Sequence, residues 1–546
     1  MNDRPHRLPR IAAALLATIA TTVSIFGCGG SDRGADLILR NATVHTMDAG
    51  RTQAQAVAVR DGKIVYVGDN AGAEAYRASG TKVEDLGGKL VLPGFVDSHN
   101  HAYLRAEGMY WVVLGTASLD AYRDATQAFL ARQPEARQVR GVGWNLNYVL
   151  AQATATGKSP MQLLDEIVGR DIPAVYITNG HHEVWANTRA MRNAGITRDT
   201  PNPPGAFIDR DPVTGEPTGI VREFGAQNLV ISALPQPDFT VEEYRASILS
   251  FQSEFAAQRG VTAVAVPVHY PTEPYLQALQ QLDREDKLTV RYDLLLWADE
   301  TRGLSQVPEL VALREKYQGR MFKINSIKIF GTGASSTFGS LVWDQETLKR
   351  TAAALDKEKF RIYIHDIGPT SSYGLMLDAI EYATQQNGRR DARHTITHVS
   401  SNASPLVDRF KALDVIADGH PTPKAFVDAG VRVTSSSDYP VRDFFPLVRI
   451  RAGVAAGVSL DAMLASHTIA GAHLLFAENE TGSLELGKAA DIVVLDQNVL
   501  QMPAADIDKA KAVLTLFAGK VVFRDVSMGG SQVGTLTVKE QDDHRH

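Results

Sequence analysis

"LVLPGFVDSHNH", residues 90–101, runs apolar for most of its length and ends in two histidines one residue apart. An apolar run of this length reads as a strand built for burial. Imidazoles at the end of such a strand fit the rim of a barrel, where strands leave the packed interior and a site forms. A His-x-His pair alone carries little weight: His544 and His546 form a second one in the polar tail "KEQDDHRH", residues 539–546. What the rest of the chain supplies decides the reading.

Seven further strand-like runs follow, separated by stretches with helical periodicity: "GVTAVAVPV", "LTVRYDLLLWA", "INSIKIFG", "FRIYIHDIG", "HTITHVS", "DVIADG" and "VRVTSSSD". Eight strands alternating with helices predict an α/β fold of the TIM (β/α)8 barrel type. The stretch between the first and second strands is far longer than one helix requires. Residues 105–240 are therefore expected to form an insertion at the barrel's top face, covering the site. Near the two chain ends, "ADLILRNATVHTMD" and "AVAVRDGKIVYVGD" resemble "GSLELGKAADIVVLD" and "AVLTLFAGKVVFRD" in strand character. A small β-sandwich built from 34–90 and 482–530 accounts for them, with 91–481 as the barrel and 531–546 as a disordered tail.

The amino terminus follows the order of a secretory signal. Basic "MNDRPHRLPR" precedes the apolar "IAAALLATIATTVSIFG", and Cys28, the sole cysteine, comes immediately after residue 27. The arrangement resembles a bacterial lipobox, so residues 1–27 are expected to be removed and Cys28 lipidated. That implies an exported protein of the periplasm or cell surface, with a lipid anchor as its only membrane contact. One cysteine permits no internal disulfide and nearly excludes thiolate ligation. A net charge of −6 gives no footprint for nucleic acid. The expected partner is a small-molecule substrate, and monomer and homo-oligomer both stay open.

On the predicted strands, His99 and His101 share a face, as alternate residues do. Lys328, His365, His398 and Asp438 fall at the carboxyl ends of strands four, five, six and eight. Together the six form a nitrogen and oxygen donor set suited to Zn²⁺ or another divalent ion. His269 and His420, which follow strands two and seven, read as packing residues.

The set resembles the amidohydrolase superfamily, with its His-x-His on strand one, lysine on four, histidines on five and six, and aspartate on eight. "LPGFVDSHNH", "NGHHEVWANTRAM", "IKIFGTGASS", "SSDYPV" and "ETGSLELGKAADIVVLD" are similar to amidohydrolase family 3, the branch containing N-substituted formamide deformylases. The resemblance implies one or two metal ions, the first held by His99, His101 and Asp438, the second by His365 and His398. Lys328 would bridge them as an N-carboxylated lysine, since a free ammonium cannot ligate a cation. An ion there lowers the pKa of a coordinated water to about 7, and Asp438 would shuttle the proton to the leaving nitrogen. The implied function is hydrolysis of a C–N bond in an amide-like molecule: an N-substituted formamide, amide, urea or cyclic amide. A deaminase or a lactonase/esterase on the same centre is the alternative within enzymes, and a non-catalytic small-molecule-binding lipoprotein the alternative outside them. His181 and His182 are expected to reach the substrate, and Trp144 and Trp185 to wall its pocket. Two words depart from the family's habit. "HDIGP" stands where relatives tend to read His-Ala-Ile-Gly-Asp, and "GTG" after Lys328 where Ala-Asp-Gly is common.

Overall fold

The computed structural model describes residues 34–234, 239–268, 273–333, 339–420 and 423–529. Cys28, the amino-terminal segment, His269 and the carboxyl-terminal tail lie outside the described residues. No helix among the described residues is long and apolar enough to cross a membrane.

Eight parallel strands pair in chain order to form the TIM barrel: Phe95–Asp97, Val261–Val268, Arg291–Trp297, Phe322–Phe330, Arg361–His365, Thr395–Thr397, Ile416–Gly419 and Val433–Ser435. The second strand, "VTAVAVPV", is buried at every position, as a strand between a packed barrel interior and an outer helical layer must be. Helix Glu273–Arg284 buries Tyr275, Leu276, Leu279 and Leu282 at three-to-four spacing, which lays one apolar stripe on the barrel wall. First and eighth strands are joined at the rim rather than along a ladder. Asp438 N–H donates to the His99 carbonyl at 2.8 Å, and His101 N–H to the Tyr439 carbonyl at 2.7 Å.

The opening run does not form one barrel strand. Leu90–Pro93 belongs to a six-stranded sheet of the small domain, paired antiparallel with Ile492–Leu495, and only Phe95–Asp97 enters the barrel. The break falls at Gly94, where a Cβ would lie 2.3 Å from Thr262 Oγ1. The apolar run has a different cause from the one expected. Val91 packs into the core between the two small-domain sheets, whereas Leu90 and Leu92 pack into the barrel's core. The run is buried as expected, but its two faces pack into different cores. The small-domain sheets have four and six strands, and the larger draws Ile492–Leu495, Ala512–Phe517 and Lys520–Arg524 from the chain's far end.

Between the first and second barrel strands the chain forms a sheet of its own, six strands between Val112–Val113 and Pro217–Arg222. One of its strands, Phe207–Arg210, lies within the Pro/Gly-rich "TPNPPGAFIDRDPVTGEPTG", and another, Pro217–Arg222, begins at its end. The connection between antiparallel strands Ala174–Ile177 and Glu183–Ala186 carries His181 and His182.

Candidate active site

The barrel strands stop short of several residues they deliver. The first ends at Asp97 and the eighth at Ser435, so His99, His101 and Asp438 lie in the connections beyond them. Strand alternation is therefore not what brings His99 and His101 together; the backbone bonds across the rim do that. His398 likewise follows its strand, while His394 precedes it at the opposite end, 3.3 Å from Asp356. Four residues around the site adopt left-handed backbone: His181 (φ 60°), Glu223 (63°), His398 (62°) and Asp438 (57°). Such conformations cost roughly 1–3 kcal/mol each and persist where the surroundings impose them, often at functional sites.

Side chains from five barrel strands meet at one place. Asp438 Oδ1 lies 3.3 Å from His99 Nε2 and 3.2 Å from His101 Nε2. Lys328 Nζ is 3.3 Å from the same His99 nitrogen. Ligand atoms of His99, His398 and Asp438 lie within 4.8 Å of one another. The His365 and His398 rings meet edge-on at 4.5 Å between centroids, and His99 stacks on Tyr363 at 5.5 Å.

The electrostatics suit a cation. Burial, followed by the Lys328 charge, holds His99 and His365 well below the ordinary imidazole range, and burial followed by the neighbouring His365, which disfavours a second charge beside it, does the same for His398. Neutral imidazoles with a free lone pair are the ligating form. Burial alone would raise the Asp438 carboxyl, but the surrounding imidazoles, His398 first and then His101 and His99 through hydrogen bonds, prevail and hold it well below its usual range. Burial lowers Lys328 to about 7, so near neutral pH a large share of it is free amine, the form that reacts with CO₂ to give a carboxylated side chain. His365 Nε2 is buried with no hydrogen-bond partner among the described residues. A buried polar atom left so, within a cluster of nitrogen and oxygen donors, fits a metal ligand.

A family model described as the amidohydrolase family matches residues 82–523. The chain belongs to the amidohydrolase family. Among curated proteins, it is 26% identical over 540 residues to the N-substituted formamide deformylase of Arthrobacter pascens, covering 89% of this chain and 97% of that one. It is equally 26% identical over 555 residues to the protein LONG AFTER FAR-RED 3 of Arabidopsis thaliana, covering 90% and 92%. Among solved structures, an uncharacterized metal-dependent hydrolase from Pyrococcus horikoshii superposes with a TM-score of 0.66 at 22% identity, over 86% of this chain and 99% of that one. That last likeness speaks to the fold.

Within this amidohydrolase, the insertion reaches the site through His182. Its Nδ1 lies 2.7 Å from Glu223 Oε2, while Glu223 N–H donates to the His182 carbonyl at 2.8 Å. The His182 ring stands 5.9 Å from that of His365. His181 Nε2 lies 3.3 Å from Glu107 Oε2. Phe224, Trp297 and Phe330 form a buried aromatic cluster, with His182 5.5 Å from Phe224 and His365 5.2 Å from Phe330. Trp144 and Trp185 are elsewhere, in the insertion's own core. Trp185 is wholly buried, its Nε1 donating to the Pro160 carbonyl at 2.6 Å, and Trp144 packs on it at 5.5 Å.

The two unusual words touch each other. Asp366 Oδ1 accepts from Thr332 Oγ1 at 3.1 Å, Ser372 Oγ at 2.9 Å and Gly368 N–H at 2.8 Å. The carboxylate in "HDIGP" thus ties the connection after strand four to the one after strand five, and Thr332 of "GTG" is one of its donors.

Sequence reasoning missed Glu223, Asp418 and Glu300, and read His420 as packing. Asp418, on strand seven, accepts from five hydroxyls: Ser98 at 2.6 Å, Thr434 at 2.8 Å, Thr397 and Ser436 at 2.7 Å, and Tyr363 at 3.3 Å. Glu300, just beyond strand three, is 8% exposed, and burial pushes it up to about 8, so it is mostly protonated at pH 7. His420 Nε2 lies 2.8 Å from His398 Nδ1. The one available signal was "DGH" at the end of a strand, with an aspartate and a histidine two apart.

Proposed function

We propose that this chain hydrolyses a C–N bond of an amide-like small molecule with a divalent ion, Zn²⁺ or a similar metal, held by the rim residues. The observation that carries this reading is the convergence of His99 Nε2 and His101 Nε2 on Asp438 Oδ1, within 3.3 Å, beside Lys328. His99, His101 and Asp438 would hold one ion, with His365 and His398 available to a second and Lys328, once carboxylated, between them. When bound, the ion supplies a water acidic enough to ionise near neutral pH and polarises the substrate carbonyl.

The chain's own residues do the rest. Asp438, placed between the two first-strand histidines, takes the proton of the attacking water and delivers it to the departing nitrogen. A carboxylate only accepts, so the 2.7 Å contact with Glu223 places a hydrogen on His182 Nδ1. Glu223 thereby sets the ring's orientation and leaves Nε2 for the substrate. The Phe224, Trp297 and Phe330 cluster gives an apolar N-substituent a dry surface. Resemblance to the formamide deformylase supports an N-substituted formamide as one member of the substrate class, beside amides, ureas and cyclic amides.

Chelator-treated protein is expected to lose hydrolysis across a panel of formamides, amides, ureas and esters, and to regain it on adding Zn²⁺ or another divalent ion. Hydrolysis unaffected by metal removal, or a chain that takes up no metal, overturns the reading; uptake without turnover on any substrate class favours a binding protein.

The same reading has the protein exported and anchored by lipid at Cys28. Cys28→Ala is expected to move it from the membrane fraction to the soluble fraction, and persistence in the membrane fraction counts against lipidation.

A further inference from the structure

His420 is not used by the mechanism above, yet it makes three polar contacts, one of them to a proposed ligand. Its Nδ1 lies 2.6 Å from the Ser436 carbonyl oxygen and 3.2 Å from Ser436 Oγ. Its Nε2 lies 2.8 Å from His398 Nδ1. A carbonyl oxygen only accepts. Ser436 Oγ has its hydrogen directed at Asp418 Oδ2, 2.7 Å away, so towards His420 it too is an acceptor. Both neighbours of Nδ1 therefore require a hydrogen on Nδ1. In a neutral ring that leaves a lone pair on Nε2, and the 2.8 Å contact then requires the hydrogen between the rings to sit on His398 Nδ1. In a neutral His398 the lone pair is then on Nε2, the nitrogen left for a metal.

We infer that His420 is a positioning residue that selects the ligating tautomer of His398, through a chain of hydrogen bonds from His398 to His420 to Ser436 and on to Asp418. The inference rests on the metal-binding reading above. Hydrogen-bonded partners of ligating histidines fix the ring's tautomer and orientation, and losing one commonly costs 10–100-fold in metal affinity. Had His420 served only as packing, any side chain of similar volume would replace it. Its place after strand seven, with the Ser436 carbonyl on one side and His398 on the other, makes its hydrogen-bond pattern the decisive property.

The test is Zn²⁺ titration of metal-depleted protein against a chromophoric chelator. Wild type is compared with His420→Leu, His420→Asn and His420→Gln, and the thermal stability of each metal-free variant is recorded. A glutamine carbonyl reaches about as far as Nε2 and accepts from His398 Nδ1. Asparagine keeps the contact with Ser436 but falls short of His398, which provides a loss variant with a polar side chain should leucine prevent folding. Leucine and asparagine are expected to weaken Zn²⁺ binding 10–100-fold, with glutamine staying within a few-fold of wild type. Wild-type affinity in the asparagine variant, or equal loss in glutamine and asparagine, overturns the inference alone. Absence of Zn²⁺ uptake by wild type overturns the metal-binding reading itself, and the inference with it.

Discussion

Asp438→Asn is expected to abolish turnover, lowering kcat on the order of 10²–10⁴-fold, the usual contribution of a positioned proton-transfer group, while the fold survives. Asparagine is the replacement that isolates the proton. It matches aspartate in shape and tolerates the left-handed backbone at this position (φ 57°), where alanine would add strain. Its amide nitrogen cannot accept a proton, and its neutral group gives up the charge that His99 and His101 meet at 3.3 and 3.2 Å. Kinetics on the best substrate of the hydrolysis panel, with metal content and circular dichroism measured on the same preparation, check the result. Unchanged turnover in a folded, metal-loaded variant would remove Asp438 from the proton path.

The second large effect falls on stability. Asp418 is wholly buried and collects five hydroxyl donors, from Ser98, Tyr363, Thr397, Thr434 and Ser436. These residues belong to five regions of the barrel: the connection after strand one, strands five, six and eight, and the connection after eight. Asp418→Ala leaves all five hydroxyls without their charged acceptor, with Ser98 and Tyr363 each keeping a carbonyl oxygen at 2.9 Å. Hydrogen bonds to charged groups contribute about 1.5–3 kcal/mol each, although neighbours do not add. A loss of about 3–5 kcal/mol is expected, at the upper end for one substitution. Asp418→Asn is expected to recover only part of it, because one oxygen becomes a donor that faces other donors. Calorimetry of the metal-free proteins separates this loss from any effect of metal binding. A melting temperature within a degree of wild type for Asp418→Ala would show that the hydroxyls find other partners.

The two effects differ in how far the sequence exposed them. Asp438 follows a readable strand-like run, before a Tyr-Pro stop, so it could be singled out before any contact was known. Asp418 sits in "DVIADG", where one acid in a short apolar run looks like a strand-end turn. Its meaning lies in hydroxyls up to 320 residues away in the chain, as with Ser98. Glu223 is similar: it lies 41 residues from His182, and no periodicity links a strand-end acid to a hairpin histidine. Trp185 shows the reverse error. A tryptophan beside a candidate site histidine suggests a pocket wall, yet its position on Glu183–Ala186 turns the indole to the opposite face of the insertion sheet and into that sheet's core.

By itself the sequence determined the eight-strand alternation, the small domain drawn from both chain ends, and the residues offered at the barrel's carboxyl rim. Those are local properties: two-residue and helical periodicities, turn residues, and polar groups at the ends of apolar runs. Only the tertiary structure decided that "LVLPGFVDSHNH" divides at Gly94, with "LVLP" buried between the small domain and the barrel and "FVD" alone forming the first barrel strand. Apolar residues report burial without saying what buries them, so a strand covered by two domains reads like one inside a barrel. The tertiary structure also decided which polar groups serve the rim from outside it, Glu223, Asp418 and His420, because hydrogen-bond partnership depends on distance in space rather than spacing along the chain.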